Sequence, residues 1–280
     1  MDIEKQLKIK KIFADQLTEF AVLLKKDYTT NGSKRKNIEK KKNNFLISSL
    51  GKEIMVYSAL MRSLDSSLGN RIEKIALEIA KVSGFKVSQG VEGLLSAETT
   101  NLIATLLESY KDKNNIKKPS TDDLRLIQKT VKSTEGKSKF HNSDYLLEKK
   151  EKGITYFTLL ELKAGGDLDN KKARSEKEAI LEQYAILVSK YAEEIDAGTV
   201  NISLFFGTAY NKDSLDGGSE SWQQGSVLSF FSPNELLIGK EFWNYICDDE
   251  NGWDQVKSSY KENCYLIENS LKEVINSFKD

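Results

Sequence analysis

Histidine, proline and cysteine are all scarce in this chain of 280 residues, which holds 1 His, 2 Pro and 2 Cys. A single histidine, His141, gives a His-based catalytic triad or a His-bearing zinc site little to work with. Cys247 and Cys264 are too few for a disulfide framework, so a reduced, cytoplasmic protein is expected. The low proline content excludes a Pro-rich linker and leaves long helices free to form. No apolar run approaches the roughly 20 residues needed to cross a bilayer, and the opening Met1-Asp2-Ile3-Glu4-Lys5 is charged, so no membrane segment is expected. A Gly-rich phosphate loop of the Walker or dinucleotide form is also missing.

Net charge is zero as well, which on its face argues against a nucleic-acid partner. The charges are unevenly spread, however. Ser33 to Lys42 holds six basic residues against one acid, and Lys111 to His141 holds nine against four. Glu241 to Asp280 reverses the balance, with four basic residues against nine acids. A neutral total is therefore compatible with a basic face, and the face is what meets phosphate. With 39% hydrophobic and 30% charged residues, the chain has enough apolar material for a core and too much for disorder.

Apolar residues recur at helical spacing from Ile3 to about Asp27, from Phe45 to Leu64 and from Arg71 to Val82. Between the last two, Ser66-Ser67-Leu68-Gly69-Asn70 has the composition of a helix cap. A further helix is expected over Ala97–Tyr110. The texture then changes. Asp144–Glu148 and Ile154–Lys163 read as strands joined by a polar turn, Gly165-Gly166 breaks the second, and a long helix follows over Lys171–Ala192. Thr199–Phe206 and Ser226–Phe231 read as further strands, and helices close the chain near Phe242 and over Gln255–Phe278. The order predicts an α/β (α+β) fold with a central mixed sheet flanked by helices. We expect a helical amino-terminal region over 1–65, serving as DNA grip or dimer contact, and a core with carboxy-terminal helices over 66–280.

The chemistry concentrates on one hairpin. On a strand, residues two apart share a face, so Glu161 and Lys163 project together while Leu162 points into the opposite, apolar layer. A turn near Lys152 returns the chain beside its first strand and can bring the carboxylate of Asp144 to that of Glu161. Two carboxylates at one site repel, and a divalent cation relieves the repulsion; oxygen ligands with room for water and substrate phosphate suit Mg²⁺. Lys163 would orient or deprotonate the attacking water and offset charge on the phosphate. Asp167-Leu168-Asp169-Asn170, just beyond, lacks the glycine and closing glutamate of a calcium loop. Lys171, Lys172 and Arg174 at the following helix start are candidate phosphate contacts. Gln223 and Gln224, beside Trp222 in a polar loop, carry amides able to read adenine edges, although simple packing suits Trp222 better.

Asp144 followed by Glu161-Leu162-Lys163 resembles the motif of the PD-(D/E)XK nuclease superfamily, with Ser143 in place of its proline. Two other stretches resemble segments of type II restriction endonucleases. Ser66 to Glu73 is similar to their helix before the core sheet, where a Glu often supports the metal, and Leu236 to Trp243 to a segment after a late core strand. The resemblance runs from about Leu64 to Trp243. It implies a restriction-endonuclease-like fold with Asp144, Glu161 and Lys163 as catalytic residues and Asp144, Glu161 and Glu73 around Mg²⁺. It further implies cleavage of double-stranded DNA at a short specific site, leaving 5′-phosphate ends. A homodimer and a cognate DNA methyltransferase encoded nearby also go with it. Two alternatives remain open on the sequence: a PD-(D/E)XK nuclease of repair or phage defence without strict specificity, and a non-catalytic DNA-binding or scaffold protein in which Glu161 and Lys163 form an exposed charged strand end.

Overall fold

The computed structural model describes residues 1–29, 32–111, 117–131, 137–141 (backbone only) and 145–278. In chain order its elements begin with α1 (Ile3–Tyr28), α2 (Ser33–Glu39), α3 (Phe45–Ser48), α4 (Lys52–Val82), β1 (Lys86–Ser88), β2 (Val91–Leu95) and α5 (Ala97–Ser109). Next come α6 (Thr121–Thr130), β3 (Lys137–His141), β4 (Tyr145–Glu151), β5 (Ile154–Lys163), α7 (Asn170–Lys190), α8 (Ala192–Asp196) and β6 (Val200–Thr208). The chain closes with α9 (Gly225–Leu228), β7 (Leu236–Ile238), α10 (Lys240–Cys247), α11 (Gly252–Asn263) and α12 (Tyr265–Asn276). These divide into two compact units, Met1–Val82 with Glu250–Asp280, and Ser83–Asp249.

The first unit is helical. Asp2 caps α1 by accepting from the Lys5 amide at 2.8 Å. Ile9, Phe13, Leu17, Phe20 and Leu24 then recur every three or four residues and are all buried. That stripe packs on α4, α11 and α12; Phe13 meets the Tyr260 ring edge-on, and Lys25 pairs with Glu273 at 2.7 Å. The expected helix cap at 66–70 is not there, because α4 runs unbroken for 31 residues. Its buried positions Val56, Leu60, Leu64, Arg71, Ile75 and Ile79 stay in phase across Gly69, so tertiary burial outweighs the roughly 1 kcal/mol that a mid-helix glycine costs. Arg71 sits in that stripe as a cation and donates to Glu19 at 2.7 Å. The compact units consequently differ from the expected division at 65/66: α4 crosses that point whole, and 250–280 joins the first unit rather than the core.

The second unit holds a five-stranded sheet in the order β1-β4-β5-β6-β7 and a small antiparallel pair, β2 with β3. β4 pairs antiparallel with both β1 and β5, whereas β6 lies parallel to β5 and β7 parallel to β6. Lys152 and Gly153 form the two-residue β4–β5 turn, both with positive φ (50° and 83°), the backbone that a tight hairpin of right-twisted strands demands. The expected mixed sheet flanked by helices, with helices at the amino-terminal end, is borne out. Ser226–Phe231, expected as a strand, is instead the helical turn α9 and its exit. Val227, Phe230 and Phe231 are buried at a spacing of three and one, which fits a helix face and not strand alternation.

β5 is sealed on both faces, with Phe157 to Leu162 buried in succession. Phe157 and Leu159 join Ile180, Leu181 and Tyr184 of α7 in the main core. On the opposite face Thr158 hydrogen-bonds the Tyr245 hydroxyl of α10. A central strand between two layers gives its carboxyl end a fixed position.

Candidate active site

Glu161 and Lys163 occupy that carboxyl end and share the face covered by α7, while Leu162, fully buried, faces the other layer. Glu161 is 8% exposed and Lys163 half-buried. The Lys163 ammonium is ion-paired with Glu161 and lies 3.4 Å from Oε1 of Glu176 on α7. Beyond Lys163 the chain turns away at Gly166, whose φ of 71° suits glycine; a Cβ there would sit 2.7 Å from Thr208. Asp144 lies outside the described residues. Its neighbour Tyr145 pairs with Leu160 in the antiparallel β4–β5 ladder.

Glu73 lies half-buried on α4, in the first unit, whereas Glu161 and Lys163 belong to the second. Lys171 and Lys172 are exposed in the first turn of α7. The helix start is capped from within, because Asp169 accepts from the Lys172 amide at 2.8 Å. Arg174 is engaged by protein carboxylates, 2.9 Å from Glu108 and 3.0 Å from Glu178. Gln223 is exposed, and its backbone N–H donates to Asp213 at 2.9 Å. Gln224, with its amide oriented to satisfy both neighbours, donates to Asp167 at 3.0 Å and accepts from Lys212 at 3.1 Å. This clasp joins the loop after β5 to the loop carrying Gln223. Trp222 is buried against Phe206, in keeping with a packing role.

Two features of α7 escaped sequence reasoning. Glu176 falls three residues after buried Ala173 and four before buried Ile180, so helical spacing turns it toward β5. Lys177 occupies a position in the apolar stripe, 1% exposed, paired with the equally buried Glu235 at 2.6 Å and lying over the Phe231 ring. Burial pushes the Lys177 ammonium below its usual range, and Glu235 opposes the shift. A lysine at a stripe position was the signal that could have revealed the pair.

Among the described residues no three His, Cys, Asp or Glu side chains are grouped to hold a metal. Among the described residues, carboxylate oxygens of Glu161 and Glu176 meet at Lys163, and oxygen ligands suit a hard cation better than zinc. The family model for the type II restriction endonuclease HinfI matches residues 6–264. The chain belongs to the HinfI family of type II restriction endonucleases. No curated protein and no solved structure matches it.

This HinfI-family protein is thus a site-specific deoxyribonuclease acting on DNA, and the readings as an unspecific repair nuclease or a non-catalytic scaffold are set aside. The match also covers the helical residues before Leu64, where the motif resemblance began. Restriction endonucleases generally use a divalent metal. No helix among the described residues is long and apolar enough to cross a membrane.

Proposed function

We propose that Asp144, Glu161 and Lys163 form the hydrolytic centre of this restriction endonuclease, with Mg²⁺ as its cation and 5′-phosphate ends as its product. One observation carries the reading: Glu161 and Lys163 meet on one face at the carboxyl end of a buried strand. Asp144 immediately precedes Tyr145 in the sequence, and Tyr145 pairs with Leu160, the neighbour of Glu161. In this reading Asp144 and Glu161 hold the metal, and Glu73 is kept only as the further carboxylate that the family resemblance implies. When bound, a divalent cation neutralises these carboxylates and polarises the scissile phosphate. Lys163 orients the attacking water and offsets charge on the phosphate oxygens. Water removal is aided by the burial of Glu161.

Lys171, Lys172 and Arg174 are proposed phosphate contacts, and Gln223 and Gln224 proposed readers of base edges. Arg174 and Gln224 would have to exchange their present protein partners for DNA. A short palindromic site favours a homodimer, with the helical unit as DNA grip or dimer contact, a cognate methyltransferase encoded nearby and action in the cytoplasm.

The test is cleavage of plasmid and sequenced phage DNA by Asp144→Ala, Glu161→Ala and Lys163→Ala proteins in Mg²⁺. Each should lose cleavage by at least about 10³-fold yet still melt cooperatively; near-normal cutting by the Glu161 variant sinks the mechanism. In Ca²⁺, which takes roughly six to eight oxygens in looser geometry, the parent protein should bind DNA and cut it poorly. Full cleavage in EDTA would remove the metal from the reading.

A further inference from the structure

Lysine is a poor choice for a fixed catalytic cation unless something holds it. Its four-carbon stem is flexible and rich in rotamer entropy, whereas a productive site tolerates only about 0.5 Å of error. Among the described residues, the Lys163 ammonium meets two carboxylates: Glu161, two residues back on its own strand, and Glu176, on the helix that covers the sheet. The two are not equivalent. In the reading above Glu161 is committed to the metal when the enzyme works, which leaves Glu176 as the carboxylate free to retain Lys163.

The surroundings of Glu176 fit that task. It is half-buried, with 27% of its side chain exposed, so its rotamers are restricted. The next residue, Lys177, is locked by the buried bond to Glu235, and Ala173 and Ile180 seal the turns on either side. Rotation of α7 about its axis is therefore fixed at the level of Glu176. Arg174 does not compete for its carboxylate, being engaged with Glu108 and Glu178.

We propose that Glu176 is the positioning residue of this endonuclease, holding the Lys163 ammonium in place from the helix side while Glu161 serves the metal. The proposal rests on the reading of Lys163 as catalytic. It predicts a selective loss of rate. Single-turnover cleavage in Mg²⁺, DNA affinity in Ca²⁺ and thermal melting are to be measured for Glu176→Ala and Glu176→Gln. The alanine protein should cleave about 10–100-fold more slowly, the range found when a supporting partner of a catalytic group is removed. Its DNA affinity should stay within about twofold and its melting should be little changed, as expected for an interaction made only on the way to the transition state. Glutamine keeps an oxygen for the ammonium and should recover part of the rate. Cleavage by Glu176→Ala within about twofold of the parent overturns the proposal. So does a slowdown matched by an equal loss of DNA affinity or of folded protein, which would mark Glu176 as structural. Lys163→Ala, run alongside, separates the two levels: if it cuts at the parent rate, the catalytic reading of Lys163 has failed and Glu176 has nothing to position.

Discussion

At the scale of single residues, this protein places charge where its patterns call for apolar side chains, and the reasons differ. Arg71 stays in the α4 stripe because Glu19 and Gln16 receive its guanidinium. Lys177 stays in the α7 stripe because Glu235 and the Phe231 ring enclose it. Glu235 also accepts from the Ser232 amide at 2.7 Å, so one carboxylate ties α7 to the approach of β7. Replacing Lys177 with methionine leaves that carboxylate buried without its cation, at a cost of about 3–5 kcal/mol. Denaturant melts of Lys177→Met should show a loss of that size, and a loss under about 1 kcal/mol would mean that Glu235 finds water or another partner. A lysine at a stripe position marks Lys177 as needing a partner, but that Glu235 is this partner, and that Glu176 meets Lys163, was not legible in the sequence, because each contact joins positions separated in the chain by a turn of topology. Glu161 and Lys163 were legible, because period two on a strand fixes a shared face without any knowledge of the rest.

Among the elements, the β4–β5 hairpin carries the proposed site, since its register determines which residue of β4 faces which residue of β5. It was also the easiest to read: Lys152 and Gly153 punctuate two β-rich runs, and the strand Ile154–Lys163 begins and ends where expected. Less legible were the elements where local signals and burial disagree. Ser66 to Asn70 looks like an end in composition, yet the phase of Leu64, Arg71 and Ile75 carries α4 through it. Lys152 adopts the left-handed backbone with φ of 50°, a strain of roughly 1–2 kcal/mol for a residue with a Cβ. Asparagine tolerates that region better, so Lys152→Asn should raise stability by up to about 1 kcal/mol and leave cleavage unchanged. Gly153→Val should do the reverse. If the register supplies Asp144 to Glu161, Gly153→Val should also lower the cleavage rate in refolded, soluble protein; undiminished cleavage would separate the turn from the site.

For the whole molecule the net charge of zero conceals a division of labour. In the basic window of the first unit, Lys34 and Arg35 are engaged with Asp27 and Glu39, while Lys36, Lys40, Lys41 and Lys42 are exposed. Cations used internally release no counterions on DNA binding, but exposed ones can. The dependence of DNA affinity on salt, measured in Ca²⁺, should therefore be steep, with a log–log slope of about −0.9 for each phosphate neutralised. Changing Lys40, Lys41 and Lys42 together to Ser should flatten the slope by up to about 3 if the helical unit grips DNA, and not at all if its lysines only keep the surface wet.

The order of synthesis adds a constraint that the finished fold conceals. Residues 83–249 form their unit from one continuous stretch, whereas the helical unit is split, with 1–82 made before that stretch and 250–280 after it. On the ribosome the stripe of α1 can meet α4 early but must wait for α11 and α12 until the second unit has been made. At about 5–20 residues per second that wait lasts on the order of ten seconds or more. The second unit can fold during the interval, but α1 cannot bury Phe13 against Tyr260 until α11 has emerged. A chain halted after Asp249 would leave the apolar stripe of α1 without α11 and α12, two of its three main packing partners.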